Sequence, residues 1–193
     1  ADDTARADFV AADLLAQAEH DVSAQAILIT TSRGLAEAVM QELEIQQRML
    51  KRQAILERSM AGSRCIIVPD LATGIGVANR YAPEHLILAI AEPRRALEQI
   101  SSAGSVFLGE WTPEPMGDYC SGTNHVLPTY GYARAYSGLS TLDFTKRITV
   151  QELSPEGLAA LGPVATALAE LEGLDAHAGA VARRLAVLSG ARA

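Results

Sequence analysis

With 193 residues, 49% of them hydrophobic and 20% charged, the chain has the profile of a globular protein with a sizeable core. A net charge of −7 argues against a nucleic-acid partner. No apolar run approaches the ~20 residues that cross a bilayer, and no basic, hydrophobic leader is present. The two cysteines, Cys65 and Cys120, form no CxxC pattern and suggest no disulfide framework. These features lead us to expect a soluble, cytoplasmic α/β protein with no membrane partner.

The chain opens on Ala1-Asp2-Asp3-Thr4, which reads as the loop after a strand, so the sequence is expected to be truncated upstream. A helix follows from about Asp8 to Glu19, with Phe9, Ala12, Leu15 and Ala16 on one face. Ala26 to Thr30 reads as a short buried strand, Leu35 to Met60 as one long amphipathic helix, and Cys65 to Val68 as a second buried strand. Leu71 to Tyr81 is expected to be helical. Two more strands, Leu86 to Ile90 and Ser105 to Leu108, are joined by a helix that starts at Pro93, a favoured first helical residue. Short buried runs alternating with helices predict a parallel, doubly wound sheet. Trp111 to Ser140 is irregular, yet it holds four of the five tyrosines and the only tryptophan, which points to an ordered functional stretch. Phe144 to Gln151 alternates like an exposed strand. Ser154-Pro155-Glu156 opens a helix to about Leu171, Gly173 interrupts it, and a last helix carries Val181, Leu185 and Leu188.

Only four histidines are present: His20, His85, His125 and His177. Gln17 and His20 lie three apart on the first helix, so they suit either half of a metal site or a polar outer face. Glu84 and His85 stand at the mouth of a strand, as two bases of different strength or as a strand cap with an ion pair. Asp118 and His125 add an oxygen donor and an imidazole within the glycine-flanked run 117–125, which otherwise reads as an ordered loop. Glu172 and His177 sit at the break between the last two helices, where Asp175 also suits a helix start. Cys120 reads as a small packing residue. Gly74-Ile75-Gly76 lacks the third glycine and the lysine of phosphate loops, so it reads as packing or a helix start.

Five ordered segments together resemble the histidinol dehydrogenase family. They are Leu14 to His20, Tyr81 to Leu86, Ala103 to Gly109, Gly117 to Arg134 and Glu172 to His177, and the likeness runs over essentially the whole chain. The resemblance implies NAD-dependent oxidation of L-histidinol to L-histidine through the aldehyde, the last two steps of histidine biosynthesis. It implies zinc ligands at Gln17, His20, Asp118 and His177, a general base at His85 and a water-activating base at Glu84. It adds substrate contacts at Gln17, His20, His85, Asp118, His125, Glu172 and His177. The implied fold is an incomplete Rossmann-like parallel sheet with flanking helices over residues 1–140. A strand and helical tail follow over 141–193 and complete the site of a partner in a homodimer. NAD contacts are expected mostly in an absent N-terminal half, so the chain alone is expected to be inactive. The rival readings are a zinc-dependent hydrolase or lyase using the same donors, and a non-catalytic fragment.

Overall fold

The computed structural model describes residues 1–190, and the chain divides into two compact units, Ala1–Phe144 and Thr145–Ala193. In the first unit α1 (Ala7–Ala18) leads to β1 (Ile27–Thr30), α2 (Arg33–Gln47), α3 (Gln53–Gly62), β2 (Arg64–Ile67) and α4 (Leu71–Tyr81). Then come β3 (His85–Leu88), α5 (Pro93–Leu97), β4 (Ser105–Leu108) and α6 (Glu114–Tyr119). Helix starts follow local capping chemistry: Ser32 Oγ accepts from Leu35 N at 3.2 Å, and Asp70 Oδ1 from Thr73 N at 2.7 Å.

The described strands are parallel, as the alternation of short apolar runs and helices predicts. They form two separate pairs, β1 with β2 and β3 with β4, rather than one continuous sheet. One core cluster lies around α1: Val10, Ala11, Leu15 and Ala18 pack with Val39 and Leu43 of α2, Leu56 of α3 and Leu28 of β1. A second holds Ile75, Leu88, Ile90 and Ala96. The buried face of α1 is therefore rotated from the expected one. Ala12 is exposed, and Phe9 lies half-buried, edge-on to Trp111 at 5.6 Å.

Four expectations need correction. The long helix over 35–60 is two helices. Met49 N and Leu50 N close tight turns onto Gln46 O and Gln47 O, and the Gln53 side chain donates to the carbonyls of Gln47 and Leu50. The redirected α3 brings Ser59 under α1, where its hydroxyl donates to Ala18 O at 2.7 Å. Next, β2 is not buried: Arg64, Cys65 and Ile67 are exposed, because among the described residues much of its surface is uncovered. The stretch Phe144 to Gln151 forms no strand, and its Ile148 and Val150 side chains are exposed. Finally, the irregular stretch contains α6, on which Cys120 follows as an exposed residue.

In the second unit α7 (Pro155–Leu171) and α8 (Asp175–Leu188) form a helical hairpin. Ser154 caps α7 and Pro155 is its first residue. Gly162 lets the helices approach, since a Cβ there would lie 2.9 Å from the Leu185 side chain. Gly173 turns the chain with φ +71°. Among the described residues no helix is long and apolar enough to cross a membrane.

Candidate active site

The site is assembled where three elements of the first unit meet. The C-terminal end of α1 offers Asp13, Gln17 and His20. The start of β3 offers Glu84 and His85, and α6 offers Glu114 and Asp118. All seven line one cavity of about 1790 Å³, which His125, Tyr130 and Arg134 also border.

The turn into β3 is fixed from both sides. Ala82 caps α4 in the left-handed region at φ 56°, a strained conformation for a residue with a Cβ, and Pro83 keeps it out of the helix. Pro83 O and Glu84 O then accept from Gly104 N and Ser105 N, each at 2.9 Å. Gly104 is required by space, because a Cβ there would sit 2.6 Å from Glu84 O. Gly117 answers a similar demand, since its Cβ would meet the Phe107 ring at 2.6 Å. That contact keeps α6 against β4.

His85 is the centre of the cluster. Its Nδ1 lies 2.9 Å from Gln17 Oε1, and its ring is packed 6.0 Å from that of Phe107. With the amide oxygen as acceptor, Nδ1 carries the proton and Nε2 holds the free lone pair. Burial pushes the imidazole below its ordinary pKa; the Asp118 charge opposes that shift and His20 adds to it. Nε2 is buried without a hydrogen-bond partner, and so is Glu114 Oε1, 3.7 Å away. The contact is not an ion pair in the ordinary sense, because burial drives both partners toward neutrality. Glu114 is pushed up to about 7 by burial first, then by its hydrogen bond to Asp118 and by the charges of Asp118, Glu84 and Asp13. Asp13 is pushed up to about 6 by burial. Glu84 is also raised, by burial and by Asp118, with His20 opposing.

Of the residues expected in the site, Gln17, His20, Glu84, His85, Asp118 and His125 reach this one cavity. Glu172 and His177 belong to the second unit, where both are exposed and line a small cleft with Leu168 and Val181. Asp13 and Glu114 were not anticipated. Their signals lie in the spacing: Asp13, Gln17 and His20 share a helical face, and Glu114 precedes Asp118 by one turn. The donor atoms of His85, Glu114 and Asp118 lie within 4.8 Å of one another, close enough to share one cation. In that cluster Glu114 Oε1 is buried without a hydrogen-bond partner, which fits an oxygen donor beside a cation. The anticipated ligand set shares Asp118 with this group, and Gln17 touches it through His85.

A family model described as histidinol dehydrogenase matches residues 1–185. The chain belongs to the histidinol dehydrogenase family. It is 56% identical to the histidinol dehydrogenase of Shewanella oneidensis over 190 residues, covering 98% of this chain and 43% of that protein. It is 55% identical to that of Xanthomonas oryzae pv. oryzae over 187 residues, covering 97% of this chain and 43% of the relative. The crystal structure of histidinol dehydrogenase from Elizabethkingia anophelis superposes with a TM-score of 0.96 at 46% identity, covering 98% of this chain and 44% of that one. The chain thus spans less than half the length of the histidinol dehydrogenases it matches.

Proposed function

We propose that this chain is the zinc- and substrate-binding C-terminal part of an enzyme that oxidises L-histidinol to L-histidine with NAD. The observation that carries the proposal is the convergence of Gln17, His20, Glu84, His85, Asp118 and His125 on one cavity, from segments as far apart in sequence as Gln17 and His125. Gln17, His20 and Asp118 would hold zinc, together with His177 from a second copy of the chain. Zinc would fix the imidazole and amine of the substrate, and NAD, held mainly by the remainder of the whole enzyme, would take up hydride in each oxidation.

What the chain's own residues do follows from their environments. Alcohol oxidation removes a hydride from carbon and a proton from oxygen. His85, neutral and with Nδ1 tied to Gln17, presents Nε2 to take that proton. The aldehyde must next gain water before a second hydride and proton can leave. Glu84, raised by burial toward the range where a carboxyl group both takes and returns a proton, activates that water. His125 on the cavity rim contacts substrate, as does Glu172 of the second copy. The exposed Leu161, Val164, Leu168 and Leu171 of α7 give the tail an apolar surface suited to association in a homodimer.

The test is made in the whole enzyme. His85→Asn should slow both oxidations, and Glu84→Gln mainly the aldehyde-to-acid half, each by about 10²- to 10⁴-fold. Stopped-flow traces in which Glu84→Gln slows only the alcohol step would overturn the division of roles.

A further inference from the structure

His85 Nε2 and Glu114 Oε1 face each other at 3.7 Å, and among the described residues neither has a hydrogen-bond partner. Their side chains are only 9% and 6% exposed, so each carries the cost of a buried polar atom. The gap is too long for a direct hydrogen bond. It is too short for a bridging water, which at ~2.8 Å from each partner and a tetrahedral angle needs them ~4.6 Å apart. Two donors of one zinc ion, each at ~2.1 Å, lie ~3.4 Å apart in a tetrahedron and farther apart as the angle opens. A separation of 3.7 Å therefore suits a shared cation. An oxygen of Asp118 lies within 4.8 Å of both atoms and supplies a third donor.

The three donors are held in place by one side chain of β4. The His85 ring packs 6.0 Å from the Phe107 ring, and Gly117 of α6 lies so close to Phe107 that a Cβ would come within 2.6 Å of it. Glu114 and Asp118 stand one turn apart on α6, so seating Gly117 presents both toward His85. This group is not the zinc set named above. Gln17 meets the opposite edge of the imidazole, at Nδ1. The two groups flank the ring and share only Asp118, whose carboxylate has an oxygen for each. Metal ions in two-metal sites stand roughly 3.5–4 Å apart.

We propose that His85 Nε2, Glu114 Oε1 and one Asp118 oxygen form a second cation site, beside the zinc set to which Gln17, His20 and Asp118 belong. One imidazole nitrogen with two carboxylate oxygens suits Zn²⁺, Co²⁺ or Ni²⁺ over Mg²⁺ and Ca²⁺, which favour oxygen alone. The site rests on side-chain geometry, and its consequence rests on the function proposed above. A cation on Nε2 takes the lone pair that would accept the alcohol proton, so zinc beyond the first equivalent inhibits, in competition with histidinol.

The test uses the whole enzyme, loaded with one zinc per site and then dialysed against rising zinc. Metal analysis should show the parent taking up a second equivalent. Crystals soaked in the same zinc should give a second anomalous-scattering peak within ~2.3 Å of Glu114 Oε1 and His85 Nε2. Glu114→Gln removes a charged ligand, so it should keep the first equivalent and bind the second about tenfold more weakly or worse. Half-inhibition of histidinol oxidation, measured against each protein's own rate without added zinc, should move by the same factor. Magnesium at equal concentration should neither bind there nor inhibit. No second equivalent at millimolar zinc, a second peak away from Glu114, or equal uptake by Glu114→Gln overturns the proposal. If that variant does not fold, the peak in the parent crystal decides. A filled second site that leaves oxidation unchanged supports the site and overturns the base assigned to His85.

Discussion

Replacing Glu114 by Gln isolates the cost of a buried carboxylate beside the His85 imidazole. Glu114 is 4% exposed, and its pKa moves from 4.5 to about 7, with burial as the leading cause and Asp118 next. Between those values the folded chain binds more protons than the unfolded one. The contribution of Glu114 to stability is therefore fully present below pH 4.5 and is lost as pH rises through 7. At roughly 1.4 kcal/mol per pH unit the full loss is at most about 3.5 kcal/mol, and the sharing of charge with Asp118 brings the expected figure to about 1 to 3 kcal/mol. Glutamine has nearly the same shape and no charge to desolvate. In the presence of a chelator, Glu114→Gln should therefore match the parent near pH 4.5 and exceed its stability by that amount above pH 7. Urea unfolding followed at intervals from pH 4.5 to 8.5 measures the difference. A constant offset across that range, or a Gln variant that loses stability relative to the parent as pH rises, would refute the assignment of a buried, proton-loving carboxyl group.

Three further outcomes are expected. His20→Ala in the whole enzyme should sharply lower bound zinc by metal analysis, and unchanged stoichiometry would remove His20 from the ligand set. Gly104→Ala forces a Cβ to within 2.6 Å of Glu84 O, so it should cost about 1–3 kcal/mol in denaturant unfolding. It should also slow both oxidations while zinc content holds, and a variant as stable and active as the parent would show that the turn yields freely. Zinc binding near pH 6.5 should release protons, because burial raises Glu114 to about 7 and a nearby cation drives it to ionise. Calorimetry in buffers of different ionisation heat reads this, and an enthalpy independent of buffer would contradict it.

Much of the fold was legible because its signals are local. Ser32, Asp70 and Ser154-Pro155 announce helix starts, and four short apolar runs mark the strands to within two residues. The misses share a cause in tertiary context. Nothing in Arg48 to Arg52 breaks a helix by propensity; the break is stabilised by the docking of Leu56 and Ser59 against α1. Cys65-Ile66-Ile67 has the composition of a buried strand, but burial depends on what covers it, and among the described residues much of its surface is uncovered. The alternation in 144–151 is likewise a pattern without a partner edge. At the site, Gln17, His20, Glu84, His85, Asp118 and His125 were nameable because their residue types and the family resemblance agree. Glu114 was not, since a glutamate between Pro113 and Pro115 reads as surface until α6 is seen to turn it inward.

The charge distribution explains why one imidazole and several carboxylates can share so small a volume. Asp13, Glu84, Glu114 and Asp118 border the same cavity, and the causes that raise Glu84 and Glu114 include the Asp118 charge. Glu114, raised to about 7, is partly protonated near neutral pH, and a divalent cation placed beside it would replace that proton. Glu114, nearest to His85 Nε2, is then unsuited to act as the base itself, because its affinity for a proton changes with every charge added to or removed from the cluster. His85 differs: desolvation keeps it neutral, and Gln17 fixes its tautomer through an uncharged amide. Its lone pair is therefore available while the carboxylates exchange protons for a cation. In the proposed reaction two consecutive oxidations would each release a proton, so a base whose readiness depends little on that exchange would serve both. The proposed division, with acids to hold charge and a neutral imidazole to move protons, is supported by burial and hydrogen bonding in the chain itself.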